Sequence, residues 1–209
     1  MRLETERLIL RRWRPDDVAP FAAINADPEV MRHFVSTRTQ AETEASMALY
    51  ERHFDADGYG FAAVERKADG QFIGAIGIQR IDGGALPCAP AVEAGWRLGR
   101  DFWRQGYATE GARAAMTAGY ETFGLGEIVA VTAVGNLASR GVMEKLGMHR
   151  AASDDFDHPA VPVGHPAAVD PRQRPQQRAE EGDPSRVERR LRRTVTALLK
   201  GDVQHLDEG

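Results

Sequence analysis

The sequence predicts a mixed α+β domain with a central sheet, on three observations. Apolar residues switch repeatedly between a period of two and a period near 3.6, so strands and helices interleave along the chain. Tyr59 to Glu65 and Phe72 to Arg80 flank a polar turn at Ala68-Asp69-Gly70, the pattern of an antiparallel hairpin. Arg104 to Thr109 sets a glycine turn between a strand-like segment and a long helix. A sheet layered against helices buries every apolar face that this order produces.

The elements follow in order. Glu6 to Arg12 alternates around Leu8 and Leu10, as a strand with one covered face does. Pro15-Asp16-Asp17 opens a helix, because proline suits the first turn and carboxylates suit the positive end of the dipole. Val18, Phe21, Ala22 and Asn25 continue it at helical spacing, and Asp27-Pro28 ends it. Thr39 with Glu42 makes a capping box for a second helix reaching about Asp57. After the hairpin, Gly83-Gly84 and Pro87 to Pro90 form a loop before the strand Ala91 to Leu98. Ala112, Met116, Tyr120 and Phe123 stripe the next helix, and Glu127 to Val134 is the next strand. Asn136 caps a last helix with Val142, Met143 and Leu146 on its apolar face, and Gly147 terminates it.

Composition narrows the function classes. The 27 basic and 31 acidic side chains of this 209-residue chain make no case for nucleic acid as a partner. The lone Cys88 excludes an intrachain disulfide and suits a reducing cytoplasm. No stretch approaches the ~20 apolar residues of a membrane span, so the expectation is a cytoplasmic protein with no membrane partner. His149, His158 and His165 lack the spacing to Cys or acidic residues that defines a zinc site, and no metal is implied.

Chemistry concentrates in Trp103-Arg104-Gln105-Gly106-Tyr107-Ala108-Thr109-Glu110. Gly106 permits φ > 0 or the close approach of a bulky anion, and the free N–H groups of the following helix start carry about half a positive charge. The run reads as a cradle for a pyrophosphate.

Several separated motifs then resemble one family. Thr5-Glu6-Arg7-Leu8-Ile9-Leu10-Arg11, Glu93-Ala94-Gly95-Trp96-Arg97-Leu98, Arg104 to Thr109, and Asn136-Leu137-Ala138-Ser139 with Val142 to Met148 resemble, in order and spacing, the GNAT-type N-acetyltransferases. Within them the chain looks like the Rim-type branch, which acetylates protein N-terminal amines. The resemblance covers roughly residues 3–150. It implies a splayed, mostly antiparallel central sheet flanked by helices, with acetyl-CoA as co-substrate. The pantetheine arm would lie along Ala91–Leu98, held by backbone groups near Trp96 and Leu98, with the sheet parted between that strand and Glu127–Val134. The pyrophosphate would rest on Arg104, Gln105, Gly106, Tyr107, Ala108 and Thr109, and Asn136 would both cap its helix and bond the pantetheine amide. Trp103 departs from the commoner Gln or Arg at the start of the loop motif.

Acetyl transfer to an amine needs a base for the ammonium and a proton donor or stabiliser for the departing thiolate. Glu93 is the candidate base; its competing reading is a solvent-facing strand carboxylate. Ser139 is the candidate acid, with an ordinary first-turn serine as the alternative, since the position where relatives often carry tyrosine is Met143. Arg104 reads either as a phosphate contact or as a solvated side chain, and Cys88 as a bystander. His33 and His53 fall in the helical region expected to wall the acceptor, with plain surface residues as the alternative reading. An α-amine near pKa ~8 needs about 3 kcal/mol less help to be neutral than a lysine near ~10.4, so a peptide N-terminal α-amine or a small low-pKa amine is the expected acceptor. The acidic run Asp154-Asp155-Phe156-Asp157-His158 would attract such a cation.

The C-terminal part breaks the pattern. Residues 171–209 carry nine basic and seven acidic side chains, a net of +2, against −6 before them. The expected organisation is an acetyltransferase domain over 1–166 and an atypical tail over 167–209 that lacks the usual last strand. Pro171 to Gly182 reads as a disordered linker, and 184–200 as a possible helix with Val187, Leu191, Val195 and Leu199 on one side. Thr194 to Leu199 is the alternative strand for the missing slot. A change of reading frame near His165 would explain the shift. Two functions therefore stand: an active N-acetyltransferase, monomeric or homodimeric, and a low-activity acyl-CoA-binding, regulatory or frame-altered protein of the same fold.

Overall fold

Local chemistry places the elements close to where the sequence puts them. The computed structural model describes residues 2–84, 86–150, 155–156 and 193–199. The first expected strand, Glu6 to Arg12, is realised as β2 (Leu8–Arg11), and a short β1 (Leu3–Glu4) not foreseen in the sequence pairs antiparallel with it across a tight turn in which the Thr5 N–H donates to the Leu8 carbonyl at 3.0 Å. A 3-10 turn at Pro15–Asp17 leads into α1 (Val18–Ala26). In α2 (Gln40–Asp57), the Thr39 hydroxyl accepts from the Glu42 N–H at 3.2 Å while Glu42 returns a bond to the Thr39 N–H, the reciprocal box expected of this pair.

The sheet contains β1, β2, β3 (Phe61–Arg66), β4 (Gln71–Ile81), β5 (Ala91–Leu98), β6 (Glu127–Ala133) and β7 (Arg193–Leu199), in chain order. It is antiparallel from β1 to β5 and parallel beyond. β4 and β5 are joined over eight residue pairs, but β5 and β6 meet at Glu93↔Val129 alone, so the sheet parts where expected. On one face, α3 (Tyr107–Glu121) lays Ala112, Ala115 and Met116 against Leu8, Ile76, Ile78 and Ile128. On the other, α1 and α2 pack Phe21, Met47 and Tyr50 onto Phe61 and Ala75. α4 (Leu137–Lys145) sets Met143 against Ala130 and Trp96 at the far end.

One expectation about the tail is corrected. Arg193–Leu199 is not helical: it is strand β7, in register with β6 from Glu127↔Arg193 to Ala133↔Leu199. The i, i+4 spacing of Val195 and Leu199 suggested a helix, but β-branched Thr194, Val195 and Thr196 favour an extended chain, and β6 offers an edge of unpaired N–H and C=O groups to satisfy. The expected linker Pro171–Gly182, the boundary at 166–167 and residues 184–192 lie outside the described residues.

Candidate functional site

The turn before α3 takes the left-handed backbone that its glycine permits. Gly106 has φ +84° and Arg104 φ +59°, two left-handed positions closing the turn just before α3. No side chain caps α3, so its first-turn N–H groups have no side-chain partner among the described residues. Arg104, Gln105 and Gly106 are exposed, while Ala108 and Thr109 are half-buried. The Tyr107 side chain points into the core beneath the Arg7 guanidinium, 4.6 Å from its ring centroid, so only the backbone of Tyr107 faces a ligand. An anion fits this surface: it is open, its amides are uncapped, and it sits on the positive end of a 15-residue helix.

A brace holds the turn in place, and sequence reasoning missed it. Glu110, in the first turn of α3, accepts from the Thr5 hydroxyl at 2.6 Å, from the Arg7 N–H at 2.9 Å and from Arg7 Nε at 2.7 Å. Arg7 Nη1 then donates to the Gln105 carbonyl at 2.9 Å. With that carbonyl pinned toward Arg7, the Gly106 N–H of the same peptide plane is directed to the other side. Burial by itself would raise the Glu110 carboxyl, but the bonds from Thr5 and Arg7 outweigh it and hold Glu110 below the usual carboxylate range. Trp103 adds a second anchor, its indole donating to the Leu98 carbonyl at 2.8 Å. The motif Thr5-Glu6-Arg7 was visible as a strand, but nothing in sequence links it to residues about a hundred positions away.

The gap between β5 and β6 exposes the backbone of β5. The Gly99 N–H bonds the Ile73 carbonyl, and the register sets Arg97, Gly95 and Glu93 opposite Ala75, Gly77 and Gln79. Antiparallel pairing alternates, so these odd residues turn their amides and carbonyls toward β4, and Trp96 and Leu98 turn theirs toward the gap. The Leu98 carbonyl already serves Trp103, so the groups of Trp96 are the more available.

Alternation also divides the side chains. Trp96 faces α3 and α4, and its indole donates to the Ser139 hydroxyl at 3.2 Å. Asn136 caps α4 by accepting from the Ser139 N–H at 3.1 Å. Met143, at the position where a tyrosine would stand, is buried. Glu93 lies on the opposite face, beside Gln79, at the point where β5 and β6 separate. It is 6% exposed, which rejects the reading of a solvent-facing carboxylate, and burial pushes it up to about 7. Glu93 and Ser139 thus flank the parted strands from two sides.

Other candidates resolve differently. The Cys88 thiol is raised by burial and by the nearby Glu93 charge, which keeps it protonated rather than nucleophilic. His53 contacts Asp57 at 3.4 Å on α2, and burial lowers His33. Asp155 of the acidic run is committed to Arg150 in an ion pair, and Asp154, Asp157 and His158 lie outside the described residues. Among the described residues, no group of three or more His, Cys, Asp or Glu is placed to hold a metal ion, and no helix is long and apolar enough to cross a membrane.

Comparison with known proteins bears on this arrangement. The family described as acetyltransferase (GNAT) domain matches residues 7–149. YkkB of Bacillus subtilis is 32% identical over 151 residues, covering 71% of this chain and 85% of that protein. An Aspergillus fumigatus protein named FsC-acetyl coenzyme A-N(2)-transacetylase is 32% identical over 129 residues, or 60% of this chain and 55% of that one. The crystal structure of an acetyltransferase from Agrobacterium tumefaciens superposes with a TM-score of 0.64 at 27% identity, covering 71% and 84% of the two chains. RimL, a ribosomal L7/L12 alpha-N-protein acetyltransferase solved in complex with coenzyme A, shares the fold at a TM-score of 0.58 and 18% identity, over 70% and 82%.

Proposed function

The chain belongs to the acetyltransferase (GNAT) domain family, and from that premise we propose that it transfers acetyl from acetyl-CoA to the α-amine of a peptide N-terminus or to a small amine of similar pKa. The observation that carries the reading is Glu93, a buried carboxyl with its proton affinity raised to about 7, at the mouth of the gap between β5 and β6. An ammonium near ~8 gives its proton to such a group at a cost of about 1 kcal/mol, whereas a carboxyl near ~4.3 would make the same transfer cost about 5 kcal/mol. A lysine near ~10.4 would still cost about 5 kcal/mol at Glu93. Burial has matched this base to an α-amine.

The remaining residues take roles in this proposal that their positions support. The N–H groups of Gly106, Tyr107, Ala108 and Thr109 hold the pyrophosphate, with Arg104 and Gln105 on the rim of the turn. The backbone of Trp96 and Leu98 would hold the pantetheine arm across the gap, and the Asn136 side-chain amide, whose oxygen caps α4, has N–H donors to offer the same arm. Glu93 takes the proton of the ammonium directly or through one water. The freed amine nitrogen bonds the thioester carbonyl carbon, the carbon–sulfur bond breaks, the departing sulfur takes the Ser139 hydroxyl proton, and the proton shed by the amide nitrogen returns to Ser139. Its oxygen already accepts from Trp96, which leaves its own O–H to donate.

The competing reading, a low-activity binding module, drew on an empty last-strand slot, and β7 now lies beside β6. Thiol release from acetyl-CoA, measured against N-terminal peptides, polyamines, aminoglycosides and free amino acids, tests the proposal. Turnover with α-amines is the expected result. CoA binding without turnover on any amine would favour the competing reading.

A further inference from the structure

The face of β5 that carries Glu93 also carries Arg97, and Arg38, just before α2, lies near enough for its charge to act on Arg97; among the described residues neither has an ion-pair partner. Arg97 lies on that face four residues beyond Glu93, about 13 Å along the strand at ~3.3 Å per residue. It is half-buried against the aromatic wall of α1 and the loop after it, its guanidinium 4.4 Å from the Phe34 ring centroid and 6.0 Å from that of Phe21. Its hydrogen bond goes to a neutral group, Asn25 Oδ1 at 2.8 Å, and its buried Nε has no bond. Asn25 is fully buried and held by the Thr43 hydroxyl at 3.0 Å, so this oxygen is fixed in place and adds no charge. Arg38 is the second cation: its Nη1 bonds the Ser46 hydroxyl, its N–H bonds the Asn25 carbonyl, and its charge lowers the proton affinity of Arg97.

Among the described residues, neither arginine makes an ion pair, although fifteen such pairs form elsewhere on the chain. Glu42 feels Arg38 only at longer range. A guanidinium held beside aromatic surface without an ion pair, and with a second cation near it, opposes folding unless something is gained from it. Burial and Arg38 together bring Arg97 down to about 10, with Tyr50 acting in the other direction. Between Glu93 and Arg97 the strand has Gly95, and the Phe61 ring occupies the space its side chain would take, 2.7 Å from an ideal Cβ. On this face the buried Phe61 ring therefore separates the Glu93 carboxyl from Arg97, with Arg38 near Arg97.

We propose that the acceptor carries a carboxylate on the order of 10 Å from its reacting amine, the scale of the four-residue step along β5 at ~3.3 Å per residue, read by Arg97 and Arg38. The inference rests on the proposed function, which supplies the amine at Glu93. That separation exceeds what an amino acid offers between its own α-amine and α-carboxylate. It fits an acidic side chain near the third residue of a peptide N-terminus, and equally a small amine with a terminal carboxylate on an extended chain.

Calorimetry on the full chain with CoA present separates these sources without requiring turnover. One arm compares the peptide Ala-Ala-Glu-Ala amide with Ala-Ala-Gln-Ala amide, and the other compares 8-aminooctanoate with its amide. The carboxylate member of at least one pair should bind about ten- to a hundredfold more tightly than its amide. Arg97→Gln and Arg38→Gln should each erase most of that preference while leaving amide binding unchanged, and Arg97→Lys should keep part of it. A preference confined to the first arm assigns a peptide acceptor, and one confined to the second assigns a small molecule. Equal binding of both members in both arms overturns the inference, as does an Arg97→Gln variant that loses acid and amide alike. Titration of CoA alone is the separate control: its failure counts against the proposed function, while the acid-to-amide ratio still decides the inference.

Discussion

Glu93→Gln tests the base through folding stability as well as through rate. Burial moves this carboxyl from its usual 4.5 to about 7. The folded chain therefore holds a proton on Glu93 across an interval in which the unfolded chain has lost it. With fewer protons bound in the unfolded state, stability falls as pH rises from about 4.5 to 7, then levels off. At about 1.4 kcal/mol per pH unit the whole interval amounts to about 3 kcal/mol, and most of it falls between pH 5 and 7. Glutamine keeps the shape and stays neutral, so the variant should gain on the wild type by that amount as pH rises. Urea denaturation of both proteins at pH 5, 6, 7 and 8 measures it. The same group should give the wild type an inflection near pH 7 in kcat/KM that the variant lacks, together with a loss of about a hundredfold in rate at pH 8. Two stability curves running parallel across this range would show that Glu93 is not a buried carboxyl with raised proton affinity, and the matching of base to α-amine would fall with it.

Gly106→Val forces a β-branched residue to φ +84° and places its Cβ 3.3 Å from Arg7 Nη2, so CoA affinity should drop at least tenfold by calorimetry; unchanged affinity rejects the cradle. Glu110→Gln leaves the bond from Thr5 possible but removes the charge that holds Arg7, and CoA should bind about three- to tenfold more weakly, with a thermal melt close to that of the wild type. Ser139→Ala should lower kcat about tenfold without changing CoA affinity, and an unaltered kcat would assign the hydroxyl to its bond with Trp96 alone. Truncation before Arg193 should expose the β6 edge, seen as a lower melting temperature and concentration-dependent association in sedimentation.

The residues that the sequence determined by itself are those whose partners lie within about four positions. Thr39 with Glu42, Asn136 with Ser139 and the left-handed Gly106 and Gly147 all appear where the local pattern put them, because caps and turns close hydrogen bonds within one turn of chain. The order of motifs was likewise enough to indicate the family. Tertiary structure alone decided what depends on distant neighbours. Glu110 meets Thr5 and Arg7 across more than a hundred residues. Glu93 reads in sequence as a candidate base or as a solvent-facing strand carboxylate, and only tertiary packing excludes water from it and raises its proton affinity. Arg193–Leu199 carries both a helical and an extended pattern, and the open edge of β6 selects the second. Local hydrogen bonding is encoded in adjacent residues, whereas dielectric environment, long-range pairing and the choice between two balanced propensities are set by what the folded chain brings alongside.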